Sequence, residues 1–270
     1  MGRKSAKGYC RVRSGSKSMA LLQSAENAEL RRLDRRMRFV QAMNTQAIVN
    51  LLRKKRFALD VERRIGIRLE DLPRNNLLDL AQACTLRVQH RIASRSRFFY
   101  RLLSRKQLED LRKLIGILQK KRVLCEKVTK VEKAGGRLRV ETKNIGKSVL
   151  LARMNATMLS GIAELMGKIH SAGIEHSHPH RGNIVVDRRG RIGIIDLIEA
   201  ETKQVEWESA QSIFLSFKRD YNVLWRAFRI YFSAPEEARA FFSRIISRYP
   251  ASKELRRQVI EAVENFVMLT

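Results

Sequence analysis

An asparagine and an aspartate, Asn183 and Asp196, stand thirteen residues apart with two short apolar stretches between them. Ile184–Asp187 and Arg191–Ile195 read as strands, and Arg188, Arg189 and Gly190 as the turn that joins them. A hairpin of this length brings Asn183 and Asp196 to its mouth, where two oxygen ligands can converge on one cation. Such ligands suit Mg2+, which takes few protein ligands in phosphoryl-transfer sites and shares the nucleotide phosphates. The residues just before the hairpin, 176–183, read His-Ser-His-Pro-His-Arg-Gly-Asn. His178 is a candidate general base, since an imidazole suits proton abstraction near neutral pH. His180 and Arg181 could steady a transferred phosphoryl group, and a charged loop face is the plain alternative. Glu199 and Glu201 follow Asp196 closely and could support a metal or a substrate, or simply be solvated.

The run HPHRGN, followed by IIDL, resembles the lipopolysaccharide core heptose(II) kinases, whose loop reads Asp-Pro-His-Arg-Gly-Asn before a hairpin and Ile-Ile-Asp-Leu. Pro179, His180, Arg181, Gly182 and Asn183 match, as do Ile194, Ile195, Asp196 and Leu197. One position departs: His178 stands where that family carries its catalytic Asp. The resemblance implies an α+β, two-lobed protein-kinase-like fold with a reduced, helix-rich small lobe and a helical large lobe. It also implies ATP and Mg2+ as cofactors and phosphorylation of a heptose of the lipopolysaccharide inner core. Asn183 and Asp196 would hold the metal, and His176 would pack under the loop as a structural residue. On the nucleotide side the resemblance points to a basic residue on the strand Thr85–Ile92, Arg87 or Arg91. Its acidic partner would be Glu109 or Asp110. Glu141 would lie in a hinge spanning Val140–Gly146. The substitution at 178, and the lack of a Gly-rich loop, suggest the alternative of a catalytically silent kinase-like protein that binds a polyanion, glycolipid or RNA. Between Ser16 and Ala134 the only glycines are Gly66 and Gly116, so the backbone has few places to approach phosphates closely.

Charge bears on the partner. The 270 residues carry 55 Lys+Arg against 27 Asp+Glu, a net +28. So large an excess self-repels unless an anionic partner is near. A phosphorylated glycolipid, an anionic membrane surface and a nucleic acid are the candidates. Cys10, Cys84 and Cys125 are widely spaced and form no metal motif, which fits free thiols in a reducing compartment. No apolar run reaches eighteen residues, and the basic N-terminus lacks the apolar stretch of a secretory signal. The expectation is a cytoplasmic protein, peripheral on the inner membrane.

These residues must be positioned by the rest of the chain. Residues 1–20 hold six basic and no acidic residues and read as part of a flexible basic arm, 1–23. Residues 24–142 form the helix-rich N-terminal region and small lobe, and residues 143–270 the large lobe. Helical spacing is expected over 24–64, 76–84 and Phe98–Gln119, the last with Phe99, Leu102, Leu103, Leu108, Leu111, Leu114, Ile115 and Leu118 as its stripe. The resemblance narrows the small-lobe helix to Ser104–Gln119. Val123–Val131 and Arg137–Thr142 read as a hairpin around Ala134, Gly135 and Gly136, and Lys143–Arg153 as a connection. Thr157–His170 is expected as an amphipathic helix, followed after the central hairpin by helices over 206–232, 235–248 and 252–268. The aromatic residues Phe214, Phe217, Tyr221, Trp225, Phe228 and Tyr231 recur at helical spacing and read as core.

Overall fold

A computed structural model of the chain describes residues 62–63, 65–71, 98–134, 136–143, 145–149 and 152–268. The chain divides into two compact units, Met1–Asn44 and Thr45–Thr270, and every described residue belongs to the second. The expected arm 1–23, almost all of the helix over 24–64, the helix 76–84 and the strand Thr85–Ile92 lie outside the described residues. What is described is α+β. In chain order it contains β1 (Phe98–Leu103), α1 (Arg105–Lys120), β2 (Leu124–Cys125), β3 (Lys127–Ala134), β4 (Arg137–Lys143), β5 (Lys147–Ser148) and α2 (Ala156–His170). Then come β6 (Ile174–Glu175), β7 (Ile184–Val186), β8 (Ile192–Ile194), β9 (Glu201–Thr202), α3 (Ala210–Phe228), α4 (Pro235–Ile246) and α5 (Lys253–Met268).

The helical reading of Phe98–Gln119 is corrected at its start. Ser104 is an extended N-cap whose Oγ accepts from the Gln107 N–H, while the Gln107 side chain accepts from the Ser104 N–H. This reciprocal capping box begins the helix and forbids its extension backwards. Upstream, Phe98–Leu103 pairs antiparallel with β4, from Phe98 opposite Lys143 to Leu103 opposite Leu138. Apolar residues at 99, 102 and 103 satisfy either period, so spacing alone misled. The pleat separates them: Leu103 is buried and Leu102 is exposed. Beyond the cap, α1 buries Leu108, Leu111, Leu114, Ile115 and Leu118, the stripe expected of one helical face.

The hairpin expected from Val123 also divides. Leu124–Cys125 pairs in parallel with β8, whereas Lys127–Ala134 pairs antiparallel with β4. The chain thus crosses from one sheet to another at Glu126. The first sheet has order β1-β4-β3 and the second β2-β8-β7-β5. Gly193 makes the second possible: a Cβ there would lie 2.6 Å from the Leu124 carbonyl oxygen, closer than a side chain tolerates. Val140–Lys143, expected as part of a hinge, lies within β4 and is hydrogen-bonded on both sides to β1 and β3. A strand laddered on both edges cannot serve as a hinge.

The remaining helices form the second half of the core. Asn155 caps α2 by accepting from the Met158 N–H at 2.8 Å, and Ser209 caps α3 through the Ser212 N–H. Pro235 opens α4, where its missing N–H costs nothing. Helix α2 packs on α4, and α5 packs on α3 and α4. Gly167 permits the close crossing of α2 and α4, since a Cβ would meet the Ile245 carbonyl at 2.7 Å. Phe217, Tyr221 and Phe228 are fully buried, as the aromatic spacing predicted. Among the described residues no helix is long and apolar enough to cross a membrane.

Candidate active site

The hairpin β7–β8 forms because its turn satisfies itself. Asp187 Oδ1 accepts from the N–H groups of Arg189 and Arg191, and Gly190 takes a left-handed φ of 76°. The register Ile184 opposite Ile194 continues to Asn183, whose carbonyl accepts from the Ile195 N–H at 2.9 Å. Asp196 follows Ile195 directly, so it comes at the same end of the hairpin as Asn183. The Asn183 side chain is buried and its Nδ2 donates to the His178 carbonyl at 3.0 Å. That bond fixes the amide, so its Oδ1 is the remaining acceptor. Asp196 has left-handed backbone, φ 67°.

Asp196 has a partner the sequence reading missed. Arg101 projects from β1 on the same face as Leu103 and Val140, because residues opposite one another in a ladder share a face. There its Nη2 donates to Asp196 Oδ1 and its Nη1 to Glu126 Oε2, each at 2.8 Å. Glu126 is fully buried, and its Oε1 also accepts from the Leu197 N–H at 2.8 Å. A guanidinium fork can bond two carboxylates at once, which a lysine point charge does less well. Arg101, on the strand before α1, and Glu126, at the crossing between sheets, thus form an ion pair. Arg87 and Arg91 lie outside the described residues. Glu109 instead faces solvent on α1 and pairs with Arg105 one turn earlier. Glu141 is corrected too: it alternates with the buried Val140 and Thr142. The pleat therefore points it away from Arg101, and Thr129 Oγ1 donates to its Oε1 at 2.6 Å. Only its place in the sequence, not its orientation, suggested a nucleotide role.

The loop before the hairpin is held from beneath by one carboxylate. Asp220, fully buried on α3, accepts from the His176 N–H at 2.8 Å, the Ser177 N–H at 2.7 Å and His170 Nε2 at 3.0 Å. The His170 Nδ1 lies 2.7 Å from the Tyr249 hydroxyl, which lies 2.6 Å from that of Tyr221. A tyrosine hydroxyl at the end of such a chain donates toward the imidazole, so every polar group is matched. Burial pushes both phenols well above their ordinary range. The anchor tolerates strain: Ser177 has φ 71°, a conformation that costs a non-glycine residue about 1–3 kcal/mol. His176 is buried and links the two sides of the site, with Nε2 donating to the Ile195 carbonyl and Nδ1 accepting from the His178 N–H. Burial pulls its pKa below the ordinary 6.5, so it stays neutral, in the structural place expected of it.

The three candidate catalytic residues separate. Arg181 is buried, its Nη1 donates to the Tyr231 hydroxyl at 2.9 Å, and its guanidinium lies over the Tyr231 ring. Tyr231 in turn donates to the Ala152 carbonyl. Arg181 thus ties the loop to the segment before α2 and does not face His178, which corrects its expected role on a phosphoryl group. His180 accepts the Gly182 N–H on Nδ1 at 3.0 Å and shapes the turn. His178 is half-exposed, and both its ring nitrogens have neighbours. Its Nδ1 lies 2.7 Å from Glu199 Oε2, and its Nε2 lies 3.0 Å from Arg219 Nη2. Glu201 pairs with Lys203, which also binds the buried Glu175.

Two side-chain oxygens at this end of the hairpin are of the type that suits Mg2+. Asn183 Oδ1 and Asp196 Oδ2 remain after Nδ2 and Oδ1 have taken their partners. Among the described residues no three His, Cys, Asp or Glu side chains gather as a metal cage, and Mg2+ bound with nucleotide does not call for one. No family model and no curated protein matches this sequence.

Proposed function

We propose that this chain is an ATP- and Mg2+-dependent phosphotransferase with a two-lobed, protein-kinase-like architecture, and that its acceptor is a heptose of the lipopolysaccharide inner core. The observation that carries the reading is Asp196, at the hairpin mouth beside Asn183 and held by Arg101 from the strand preceding α1. Order along the chain supports it as well: strand, helix, hairpin, connection, helix, loop, hairpin, helices. The choice of acceptor rests on the resemblance of Pro179–Asn183 and Ile194–Leu197 to the heptose(II) kinases and on a charge of +28 suited to a phosphorylated glycolipid at an anionic membrane surface.

In this reading Arg101 aims Asp196, and Glu126 keeps Arg101 in place. Asn183 holds the His178 carbonyl, which sets the distance between the hairpin mouth and the loop. His178 receives the acceptor hydroxyl. Bound through Asn183 and Asp196, Mg2+ would supply charge neutralisation at the nucleotide phosphates. The test is calorimetric titration of Mg·ATP into the parent and into Asp196→Asn. The parent should bind and the variant should lose Mg-dependent binding while keeping its fold. Equal binding by both would remove Asp196 from the site.

A second reading has its own observation. Both reactive positions already hold internal cations, Arg101 on Asp196 and Arg219 on His178. A catalytically silent protein that binds a polyanion, glycolipid or RNA, would retain such pairs. Failure of the parent to bind Mg·ATP, together with salt-sensitive binding of a polyanion, would favour it.

A further inference from the structure

His178, Glu199 and Arg219 come from three separate elements and meet on the open side of the loop. Glu199 ends the single helical turn Leu197–Glu199 that follows Asp196. Arg219 lies on α3 immediately before Asp220, so one helix turn anchors the loop backbone and also reaches its outermost side chain. The contacts are Nδ1 to Glu199 Oε2 at 2.7 Å and Nε2 to Arg219 Nη2 at 3.0 Å, while Arg219 and Glu199 stand 3.9 Å apart.

This geometry admits one form of the imidazole. A guanidinium has N–H groups and no lone pair to offer. At 3.0 Å the His178 Nε2 must therefore accept. The ring proton then sits on Nδ1 and is donated to the Glu199 carboxylate. The opposite tautomer would set two N–H groups against each other at Nε2, and a lone pair against a carboxylate at Nδ1. A doubly protonated ring would still clash at Nε2.

We propose that Glu199 and Arg219 are positioning residues for His178: Glu199 selects the tautomer that leaves Nε2 as acceptor, and Arg219 occupies Nε2 until the acceptor hydroxyl displaces it. The proposal rests on the phosphotransferase reading. His178 is 42% and Arg219 53% exposed in their side chains, so the guanidinium can move without disrupting the core. The acceptor O–H then donates to Nε2. Its oxygen forms a bond to the γ-phosphorus of ATP as the bond from that phosphorus to the bridging oxygen breaks. ADP leaves with the electron pair, and the hydroxyl proton passes to Nε2 and then to water. Glu199 stabilises the ring while it carries both protons. A Glu–His pair thereby serves where a single carboxylate would otherwise stand.

Two measurements test this. The first needs no activity: nitrogen-15 spectra of the imidazoles in the full chain, with His178 assigned by the loss of its signal in His178→Gln. The parent should show a protonated Nδ1 and a bare Nε2 on His178. With Arg219→Met in the background, so that only Glu199 biases the ring, Glu199→Ala should mix the tautomers and Glu199→Asp should keep the parental pattern. A protonated Nε2 in the parent overturns the proposal. The second is steady-state transfer from Mg·ATP to lipopolysaccharide core bearing unphosphorylated heptose. Glu199→Ala should lower kcat by about 10²-fold with little change in KM, and Glu199→Asp should recover most of it. Arg219→Met, which removes the competitor for Nε2, should lower the KM for the acceptor. An unchanged kcat in Glu199→Ala, or a raised KM in Arg219→Met, also overturns the proposal. Absence of transfer by the parent counts against the phosphotransferase reading, while the imidazole spectrum still decides the Glu199–His178–Arg219 arrangement.

Discussion

Replacing Arg101 with methionine isolates the electrostatics of the site from its chemistry. Methionine keeps much of the aliphatic stem of Arg101 and removes its fork. Two ion pairs vanish, and they are unequal. Asp196 is 48% exposed in its side chain and loses a pair that water largely replaces, worth about 0–1 kcal/mol. Glu126 is 0% exposed and loses its one cation among the described residues while keeping the Leu197 N–H. Removing one partner of a buried pair costs about 3–5 kcal/mol, because the other charge is left uncompensated. Arg101 is itself 20% exposed, so some water can reach the gap and the lower end, about 3 kcal/mol, is expected. For a domain of this size that is a fall in Tm of about 6–12 °C. Urea unfolding followed by circular dichroism gives the number. The decisive partner is the double variant Arg101→Met with Glu126→Gln. A neutral amide still accepts from the Leu197 N–H and leaves no buried charge, so it should regain at least half the loss. The argument fails if Arg101→Met costs under 1 kcal/mol, or if Glu126→Gln makes that background worse.

Asp220→Ala leaves three buried donors from His176, Ser177 and His170 without an acceptor, at about 1–3 kcal/mol each; thermal unfolding should show a loss of several kcal/mol, and a loss under 1 would mean the loop is held otherwise. His176, kept neutral by burial, binds fewer protons when folded than when unfolded below its ordinary pKa of 6.5. Its contribution is therefore complete above pH 6.5 and declines as pH falls, at up to about 1.4 kcal/mol per pH unit; urea midpoints at pH 7.5 and 5.5 should show this slope in the parent and not in His176→Gln. Cys125 is buried, and burial pushes its thiol up to about 11, so at pH 8 it should react with a thiol reagent only on unfolding; fast labelling of the native protein at Cys125 would contradict this.

The sequence determined the parts of the site that are local. Asn183 and Asp196 are brought together by a turn that Asp187 and Gly190 specify within a few residues, so their spacing could be read directly. Ser104 and Gln107 likewise fix the start of α1 without help from the rest of the chain, although apolar spacing runs on past that cap. The helices α2 to α5 were legible for the same reason, since each carries its buried face and most of its start signals within itself. Tertiary structure decided everything that depends on distant partners. Arg101 meets Asp196 across 95 positions, Glu126 meets Leu197 across 71, and Asp220 meets Ser177 across 43. No periodicity marks such pairs, because a charged residue on an inward strand face looks in sequence like one facing water. Arg181 shows the converse: a basic residue close to His178 reads as a phosphate ligand until its guanidinium is found over the Tyr231 ring. The state of His178 was also beyond the sequence. Its two nitrogens differ only in what stands opposite each, and Glu199 and Arg219 reach it from elements that the fold alone brings side by side.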